Sequence, residues 1–254
     1  MRISLPLSQY FEQVKTDLWP FISAVVVREE KNLNRKFRNK DILVHANGFI
    51  NDEFDELINN RRFLEKLNSC ASLLSFDLGP SCHKIDYSEH GYIAKGPVLT
   101  ESQILRIADR KISNIRKFFK GIISVENLDY HALGAYEVVC NPDFINKFVE
   151  KFNICLTLDI GHVEVTCSNF SIDPYDYLEK LPLSKVVEIH LARSVGSRDS
   201  HMLPTEKQYR LLEFILQRVH ARYIVLEYYF KPEGIIQGNR ELMQFLKDRG
   251  LYEN

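Results

Sequence analysis

The sequence contains no apolar run approaching the roughly 18 to 20 residues that a bilayer-spanning helix requires. Its N-terminus, MRISLPLSQYFEQVKTDLWPF, also has no basic flank followed by a long apolar stretch, so no secretory signal is predicted. We therefore expect no membrane association and a cytoplasmic protein.

An excess of charge of either sign is missing as well. The 33 Lys and Arg residues nearly balance the 34 Asp and Glu residues, leaving a formal net charge of −1. A broad electrostatic attraction to nucleic acid is therefore not expected. The five cysteines, at positions 70, 82, 140, 155 and 167, form no CxxC pair, and their odd number argues against a disulfide framework. Reduced thiols agree with a cytoplasmic location.

Short runs of β-branched and apolar residues recur along the whole chain. Most are continuous rather than alternating, as expected of parallel strands that are buried on both faces. Eight strands are predicted on this basis, at Ile3–Leu7, Phe21–Val27, Ile42–His45, Leu73–Leu78, Gly121–Leu128, Ile154–Ile160, Val186–Leu191 and Tyr223–Tyr228.

Segments with helical spacing or helix-capping residues separate these runs. Helices are predicted over Asp52–Leu67, after a Thr100 cap, at Asn141-Pro142, at Asp173-Pro174, from Thr205 to about Val219, and after an Asn239 cap. Only a short helix fits Lys31–Lys40, and a long loop is expected over Ser81–Leu99. Strands that alternate with helices indicate an α/β protein with a parallel sheet. The presence of eight predicted strands favours a single (β/α)₈ TIM barrel spanning residues 1–254.

Ionisable residues interrupt six of the predicted strands at or near their C-terminal ends. In a (β/α)₈ barrel this end carries the active site. The six residues are His45, Asp77, Glu126, Asp159, His190 and Glu227.

Taken singly, a strand-end His or Asp is more often a hydrogen-bonded core or loop residue than a ligand. Four carboxylates that face one barrel mouth would repel one another unless cations or protons neutralise them. A cluster of divalent ions provides that neutralisation. His162, three residues after Asp159, and the pair Asp199 and His201 add further donors. The ordered set predicts a multinuclear metal site.

This order of donors resembles that of the xylose-isomerase-like TIM barrels, including the endonuclease IV type with its trinuclear site. Within that superfamily the chain is similar to the multinuclear non-heme iron-dependent oxidases (MNIO), which modify ribosomally made peptides, usually at cysteine. The resemblance extends from about residue 41 to residue 229, and the stretches that carry it are ILVHANGF, SVENLDY, NPDFINKFVEKFNICLTLDIGHVEV, DPYDYLEKLP, VVEIHLARSVGSRDSHMLPTEKQYRLLEFIL and YIVLEYY.

The resemblance implies two or three iron ions, with Glu126 as a bridging carboxylate and Glu126, Asp159 and His190 as catalytic residues. It also implies that O₂ is used to modify a ribosomally made peptide or another cysteine-containing substrate, with a partner protein presenting the peptide. The chain departs from the family's pattern at Asp77, where a second histidine is usual, and at His162, where many relatives carry Asn. The implied ligands are His45, Glu126, Asp159, His162, His190, Asp199, His201 and Glu227, with Asp77 as a further candidate.

Iron follows from the resemblance alone, because mixed nitrogen and oxygen donors suit Mn or Zn equally well. A hydrolase or sugar isomerase with two or three divalent ions therefore stays open, as does a non-catalytic barrel that binds a peptide at its mouth. Arg193 and Arg198 are predicted to bind an anionic substrate group, although a loop salt bridge explains them equally well.

Two other features receive structural interpretations. A nucleophilic pair of Cys82 and His83 is disfavoured, because adjacent side chains rarely face each other. His90, His131 and His220 have no strand-end placement and are expected on the surface.

Overall fold

The computed structural model describes residues 1–49, 60–88 and 91–253. Eight strands form a closed barrel in the order β1-β12-β9-β8-β7-β4-β3-β2, and every neighbouring pair is parallel. The predicted (β/α)₈ barrel is confirmed. The barrel strands are β1 (Arg2–Pro6), β2 (Ala24–Val27), β3 (Asp41–Phe49), β4 (Leu73–Asp77), β7 (Ile122–Glu126), β8 (Cys155–Asp159), β9 (Val186–Leu191) and β12 (Tyr223–Leu226).

Helices cover the outside of the barrel, and most connect consecutive strands. Two short 3₁₀ segments, Glu30–Asn34 and Leu183–Lys185, supplement them. The described helices are α1 (Phe11–Leu18), α2 (Arg61–Cys70), α3 (Glu101–Phe118), α4 (Pro142–Phe152), α5 (Ile160–Phe170), α6 (Pro174–Glu179), α7 (Glu206–Leu216) and α8 (Pro232–Asp248). None of these described helices is both long and apolar enough to cross a membrane.

The predicted helix starts follow local capping chemistry. The Thr100 side chain accepts a hydrogen bond from the Gln103 amide in a capping box at the start of α3. Asn141 and Asp173 cap α4 and α6, and each is followed by a proline in the first turn. These starts need no tertiary contacts, which is why the sequence predicts them.

Several predicted boundaries are wrong. Asn239 is buried inside α8, where its side-chain amide donates to the Ile235 carbonyl instead of capping a helix. The helix expected over Asp52–Leu67 is described only from its Asn60 cap onward, and it continues to Cys70 as α2; residues 50–59 lie outside the described part. Only the 3₁₀ segment Glu30–Asn34 forms within the short helix expected after β2.

The region Ser81–Leu99 is not a loop but an antiparallel hairpin, formed by β5 (Cys82–Ser88) and β6 (Gly91–Val98). Its polar, alternating sequence hides the strands from a search for continuous apolar runs. A second hairpin, β10 (Arg193–Val195) and β11 (Arg198–Met202), follows β9. Both hairpins are inserted after the C-terminal ends of barrel strands, on the side where a barrel builds its site.

Side chains inside the barrel become polar toward the C-terminal ends of the strands. The lower part holds a small apolar cluster that includes Val26, Leu43 and Val225. Above it lie buried hydroxyl groups, with Ser124 Oγ 2.8 Å from Thr157 Oγ1. Two residues further along each strand, and so on the same face, come the ionisable residues.

Candidate metal centre

Glu126 lies at the middle of the cluster of strand-end residues. Its side chain is 3% exposed, and its two oxygens face different histidines. Oε2 lies 3.3 Å from Nδ1 of His45 and 3.3 Å from Nδ1 of His190, while Oε1 lies 3.4 Å from Nδ1 of His162. A carboxylate with two buried oxygens among three imidazoles has the geometry of a bridging ligand.

Three overlapping sets of donors surround Glu126, and within each set the candidate ligand atoms lie within 4.8 Å of one another. Glu126 belongs to two sets and Asp159 to two, so adjacent ion positions would share a carboxylate. The sets are His45, Asp77 and Glu126; Glu126, Asp159 and His162; and Asp159, His190 and Glu227.

Asp199 and His201 close the cluster from the side of the β10–β11 hairpin. Asp199 Oδ2 lies 3.6 Å from His162 Nε2 and 3.0 Å from His201 Nδ1. His201 Nε2 in turn lies 3.3 Å from Glu227 Oε2. The backbone of His201 is left-handed, with φ of 44°, which turns its ring away from the regular strand direction. All nine predicted ligands are therefore brought together.

Hydrogen bonds orient the rings of His45 and His162. His162 Nδ1 lies 2.7 Å from the Asn127 carbonyl oxygen, which only accepts, so Nδ1 carries the proton and Nε2 is the free donor atom. His45 Nδ1 lies 3.0 Å from Ser75 Oγ, whose hydroxyl points to the Val44 carbonyl. Nε2 of His45 then faces Asp77 Oδ1 at 3.5 Å.

The pKa values of the clustered side chains are set both by burial and by the charged groups next to them. Burial alone would raise the pKa of Glu126, but the His190 and His45 imidazoles lower it to about 2. Burial raises the pKa of Asp159 to about 7, helped by the nearby carboxylates and opposed by His162. Burial would lower the pKa of His201, but hydrogen bonds to Asp199 and Glu227 raise it to about 10.

Unsatisfied buried atoms show that the cluster fits a bound metal. Glu126 Oε2 and both ring nitrogens of His190 have no hydrogen-bond partner among the described residues. Orphaned buried acceptors are costly in a folded protein. Divalent ions bind deprotonated carboxylates and neutral imidazoles, and the cluster offers only these two donor types.

Arg28 is a residue of the site that the strand-end pattern does not reveal. It directly follows β2, and its Nη2 donates to Glu227 Oε1, which also accepts from the Tyr229 hydroxyl at 3.0 Å. Burial would lower the pKa of Arg28, but Glu227 and its acidic neighbours raise it. The sequence did contain a signal for Arg28. It directly follows a predicted strand, as the ionisable residues of the donor set lie at or near the ends of other predicted strands.

A cavity of about 270 Å³ opens above the cluster of candidate ligands. Its aromatic wall consists of Phe49, Tyr87 and Tyr92, with ring centroids 4.8 Å apart for Phe49 and Tyr92 and 5.3 Å apart for Tyr87 and Tyr92. Two of these aromatic residues belong to the β5–β6 hairpin. A cavity with metal donors at its floor and aromatic side chains at its wall suits an amphipathic ligand.

Among the residues described, neither Arg193 nor Arg198 lines this cavity; they lie on β10 and β11. Their role in substrate binding stays a prediction. His131 is buried rather than on the surface, with Nε2 2.8 Å from Asp129 Oδ2, while His220 is exposed as expected. His90 lies outside the described residues.

The remaining cysteine candidate has a structural role. Cys82 is fully buried and its thiol donates to the Lys84 carbonyl, whereas His83 next to it is exposed. The two side chains therefore do not form a nucleophilic pair.

Solved structures with the same fold cover almost the whole chain. A D-tagatose 3-epimerase-like protein superposes with a TM-score of 0.68 and 15% identity over 98% of both chains. Endonuclease IV from Thermus thermophilus superposes with a TM-score of 0.64 and 15% identity, covering 98% of this chain and 100% of the other. These likenesses show that the chain shares the barrel fold of these proteins.

Proteins found by sequence comparison have a higher identity to this chain than the solved structures have, but they match a smaller part of it. A UPF0276 protein of Acaryochloris marina is 36% identical over 93 residues, which are 37% of this chain and 33% of the relative. A UPF0276 protein of Alcanivorax borkumensis is 28% identical over 142 residues, which are 53% of this chain and 41% of the relative. The matched stretches thus span between a third and about two fifths of the relatives' own length.

A family model described as "RiPP precursor modification enzyme MbnB/TglH/ChrH" matches residues 83–241. The matched region contains seven of the nine candidate ligands, including Asp199 and His201 with the hairpin that carries them, but not His45 or Asp77, which lie before it. Because the match covers more than half of the chain, this protein belongs to the family of RiPP precursor modification enzymes MbnB/TglH/ChrH, as its motifs predict.

Proposed function

We propose that this chain is a multinuclear iron-dependent oxidase, built as a single barrel domain, which modifies a cysteine-containing, ribosomally made peptide with O₂. The observation that carries the proposal is the overlap of three donor sets through Glu126 and Asp159, in a chain that belongs to a peptide-modifying family. Overlapping donor sets would hold two or more ions close enough to act together on one substrate group.

Within this centre the role of the protein side chains is to bind the metal ions and to orient one another. Glu126 would be shared between two ions, His45 and His162 would offer Nε2, and Asp159 would be shared between two donor sets. The Oδ1 atom of Asp159 accepts a hydrogen bond from the His162 amide at 2.7 Å. Bound iron would supply the O₂ and one-electron chemistry that side chains lack. Glu126, Asp159 and His190 are the proposed catalytic residues, because all three are buried members of the overlapping donor sets, and Glu126 also lines the cavity.

Substrate binding is assigned to the cavity above these ligands. Phe49, Tyr87 and Tyr92 offer an apolar wall for a peptide side chain, and Arg28 brings a cation next to Glu227 at the floor. Tyr87 is 64% exposed, which leaves its ring accessible to a long ligand. A peptide delivered by a partner protein is compatible with a cavity open at one side.

A second candidate is a divalent-metal hydrolase or sugar epimerase. The nitrogen and oxygen donors of the centre favour Mn or Zn as much as iron, and clustered ions can activate water. The two candidates differ in metal, in O₂ consumption and in substrate.

The test begins with protein purified without added metal, whose iron, manganese and zinc are quantified together with Mössbauer spectra. We expect two or three iron ions per chain and O₂ uptake with a cysteine-containing peptide encoded beside the gene. Zinc or manganese, with phosphodiesterase or epimerase activity and no O₂ uptake, would overturn the oxidase and support the second candidate.

The donor assignment is tested by Glu126→Gln. A neutral amide cannot bridge two cations as a carboxylate does, so at least one ion per chain should be lost. Glu150→Gln changes an exposed glutamate on α4 and should leave the metal content unchanged. Wild-type metal content in Glu126→Gln would refute the proposed centre.

A further inference from the structure

Glu188 is a carboxylate buried inside the barrel that the metal centre does not use. It lies on β9, two residues before His190 and therefore on the same strand face, one layer closer to the N-terminal end. It is 1% exposed, and its Oε1 has no hydrogen-bond partner in the part of the chain that the structure describes. A buried carboxylate without a partner is costly and needs an explanation.

The single ion-pair contact of Glu188, among the described residues, is to His190. Oε1 of Glu188 lies 3.7 Å from Nε2 of His190, whose ring is completely buried. The other ring nitrogen, Nδ1, faces the carboxylates of the centre, at 3.3 Å from Glu126 and 3.6 Å from Glu227. His190 is thus placed between the ligand carboxylates on one side and Glu188 on the other.

The other two histidines that lie beside Glu126, His45 and His162, show what this arrangement does. In His45 and His162 the Nδ1 atom, which also lies near Glu126, contacts a second protein oxygen, Ser75 Oγ in His45 and the Asn127 carbonyl in His162. That contact decides which nitrogen keeps the proton and which is free to bind an ion. For His190 no hydroxyl or carbonyl contacts Nε2 among the described residues, and Glu188 is the available acceptor.

We propose that Glu188 is a positioning residue, which accepts the Nε2 proton of His190 and so presents Nδ1 of His190 to the metal. His190 would then bind through the opposite nitrogen from His45 and His162. A carboxylate acceptor also makes the imidazole a stronger donor than a neutral one does. The inference rests on the metal centre of the proposed function and is independent of whether the ion is iron and the reaction an oxidation.

The experiment compares Glu188→Leu, which removes the acceptor, with Glu188→Gln, which keeps an acceptor oxygen without the charge. Thr157→Val is the matched control, because Thr157 is fully buried and is the direct neighbour of Glu188 on β8. Metal affinity is measured by competition with a chelator, using zinc as the probe. The tautomer of His190 is read from long-range ¹H–¹⁵N spectra of the zinc-loaded proteins.

We expect Glu188→Leu to weaken zinc binding by about 10- to 100-fold, Glu188→Gln to weaken it less, and Thr157→Val to leave it unchanged. The His190 spectrum should show a proton on Nε2 in the wild type and lose that signature in Glu188→Leu; if that variant does not fold, Glu188→Gln decides. Wild-type affinity and an unchanged tautomer in the Glu188 variants overturn this inference alone. A wild-type protein that binds no zinc, iron or manganese overturns it together with the proposed function.

Discussion

At the scale of single residues, Glu227 shows how the cluster balances its charge before a metal binds. The carboxylate is 3% exposed and is contacted by Arg28, by the Tyr229 hydroxyl and by His201. Burial would raise the pKa of Glu227, but His190 and Arg28 lower it well below its usual value. Glu227 therefore stays charged, and Arg28 offsets part of a charge that an ion would otherwise neutralise.

Removing that cation should destabilise the metal-free protein more than the metal-loaded one. Losing one partner of a fully buried pair costs about 3–5 kcal/mol. The Arg28 side chain is 36% exposed, so solvent screens the pair and we expect about 1–2 kcal/mol for Arg28→Met in the metal-free state. With metal bound the ion takes over the neutralisation of Glu227, and the loss should be smaller. Urea unfolding in both states measures the difference.

Arg35→Met is the control, because Arg35 is similarly exposed at 38% and pairs with the exposed Glu12. Its effect should stay below about 1 kcal/mol and be equal in both states. An equal loss for Arg28→Met with and without metal would contradict the role given to Arg28.

At the scale of elements, α5 and the β10–β11 hairpin form one unit around the centre. Asp159 ends β8 and caps α5, so one residue joins a strand, a helix and two donor sets. The Ser194 hydroxyl of the hairpin donates to the Gly161 carbonyl at 3.0 Å, and its backbone amide faces Glu164 of α5. These contacts hold Asp199 and His201 against the strand ends.

At Gly161 the contact between α5 and the β10–β11 hairpin is too close to accommodate a side chain without a shift of the neighbouring atoms. A methyl group at that position would lie 3.1 Å from Asp159 Oδ1, 3.1 Å from Ser194 Oγ and 3.3 Å from Asp199 Oδ1. Gly161→Ala should therefore displace two ligand carboxylates by a few tenths of an ångström and weaken metal binding by about 10-fold, the lower end of the effect of disturbing ligand orientation. Chelator competition measures the affinity.

Ser168→Ala, an exposed position on the same helix, is the control and should bind metal like the wild type. A Gly161→Ala variant with wild-type affinity would mean that the hairpin tolerates movement relative to α5.

At the scale of the whole molecule, a chain with almost no net charge concentrates acidic and imidazole groups at one end of its barrel. Metal ligation requires these donors to be deprotonated. Burial would lower the pKa values of His162 and His190, but the neighbouring carboxylates raise them well above their usual range, while burial raises the pKa of Asp159 to about 7. Metal ions and protons therefore compete for the same atoms.

The metal-dependent gain in Tm should increase with pH between about 6 and about 9. Asp159, with its raised pKa of about 7, and His201, with its pKa of about 10, both bind protons more tightly when folded than when unfolded. Their contributions to the stability of the metal-free protein are lost as pH rises through these values. The affinity of the folded protein for metal increases as pH rises over the same interval, because its ligands lose their protons. Thermal unfolding with metal and with chelator, at several pH values across this interval, measures the gain.

His220→Gln should leave this pH dependence unchanged, because His220 is exposed and lies away from the centre. A gain in Tm that stays constant across the interval would show that protons do not compete with metal at these ligands.

The sequence by itself determined the barrel and its donor set. Continuous apolar runs mark strands buried on both faces, and six of the eight runs end at or near an ionisable residue that faces the barrel mouth, as with Glu126 and Asp159. Both properties are local, because strand period and chain direction fix where the last side chain points.

Only the tertiary structure decided how that donor set is held. Arg28 and Glu227 meet across 199 residues, and the β5–β6 hairpin reaches the cavity through pairing that its polar sequence does not predict. The sequence places Glu188 within a predicted strand, but it does not show that the side chain is buried next to the buried ring of His190. The contact between Arg28 and Glu227 depends on which strands become neighbours, and the burial of Glu188 depends on the closed barrel around it. A linear pattern contains neither kind of information.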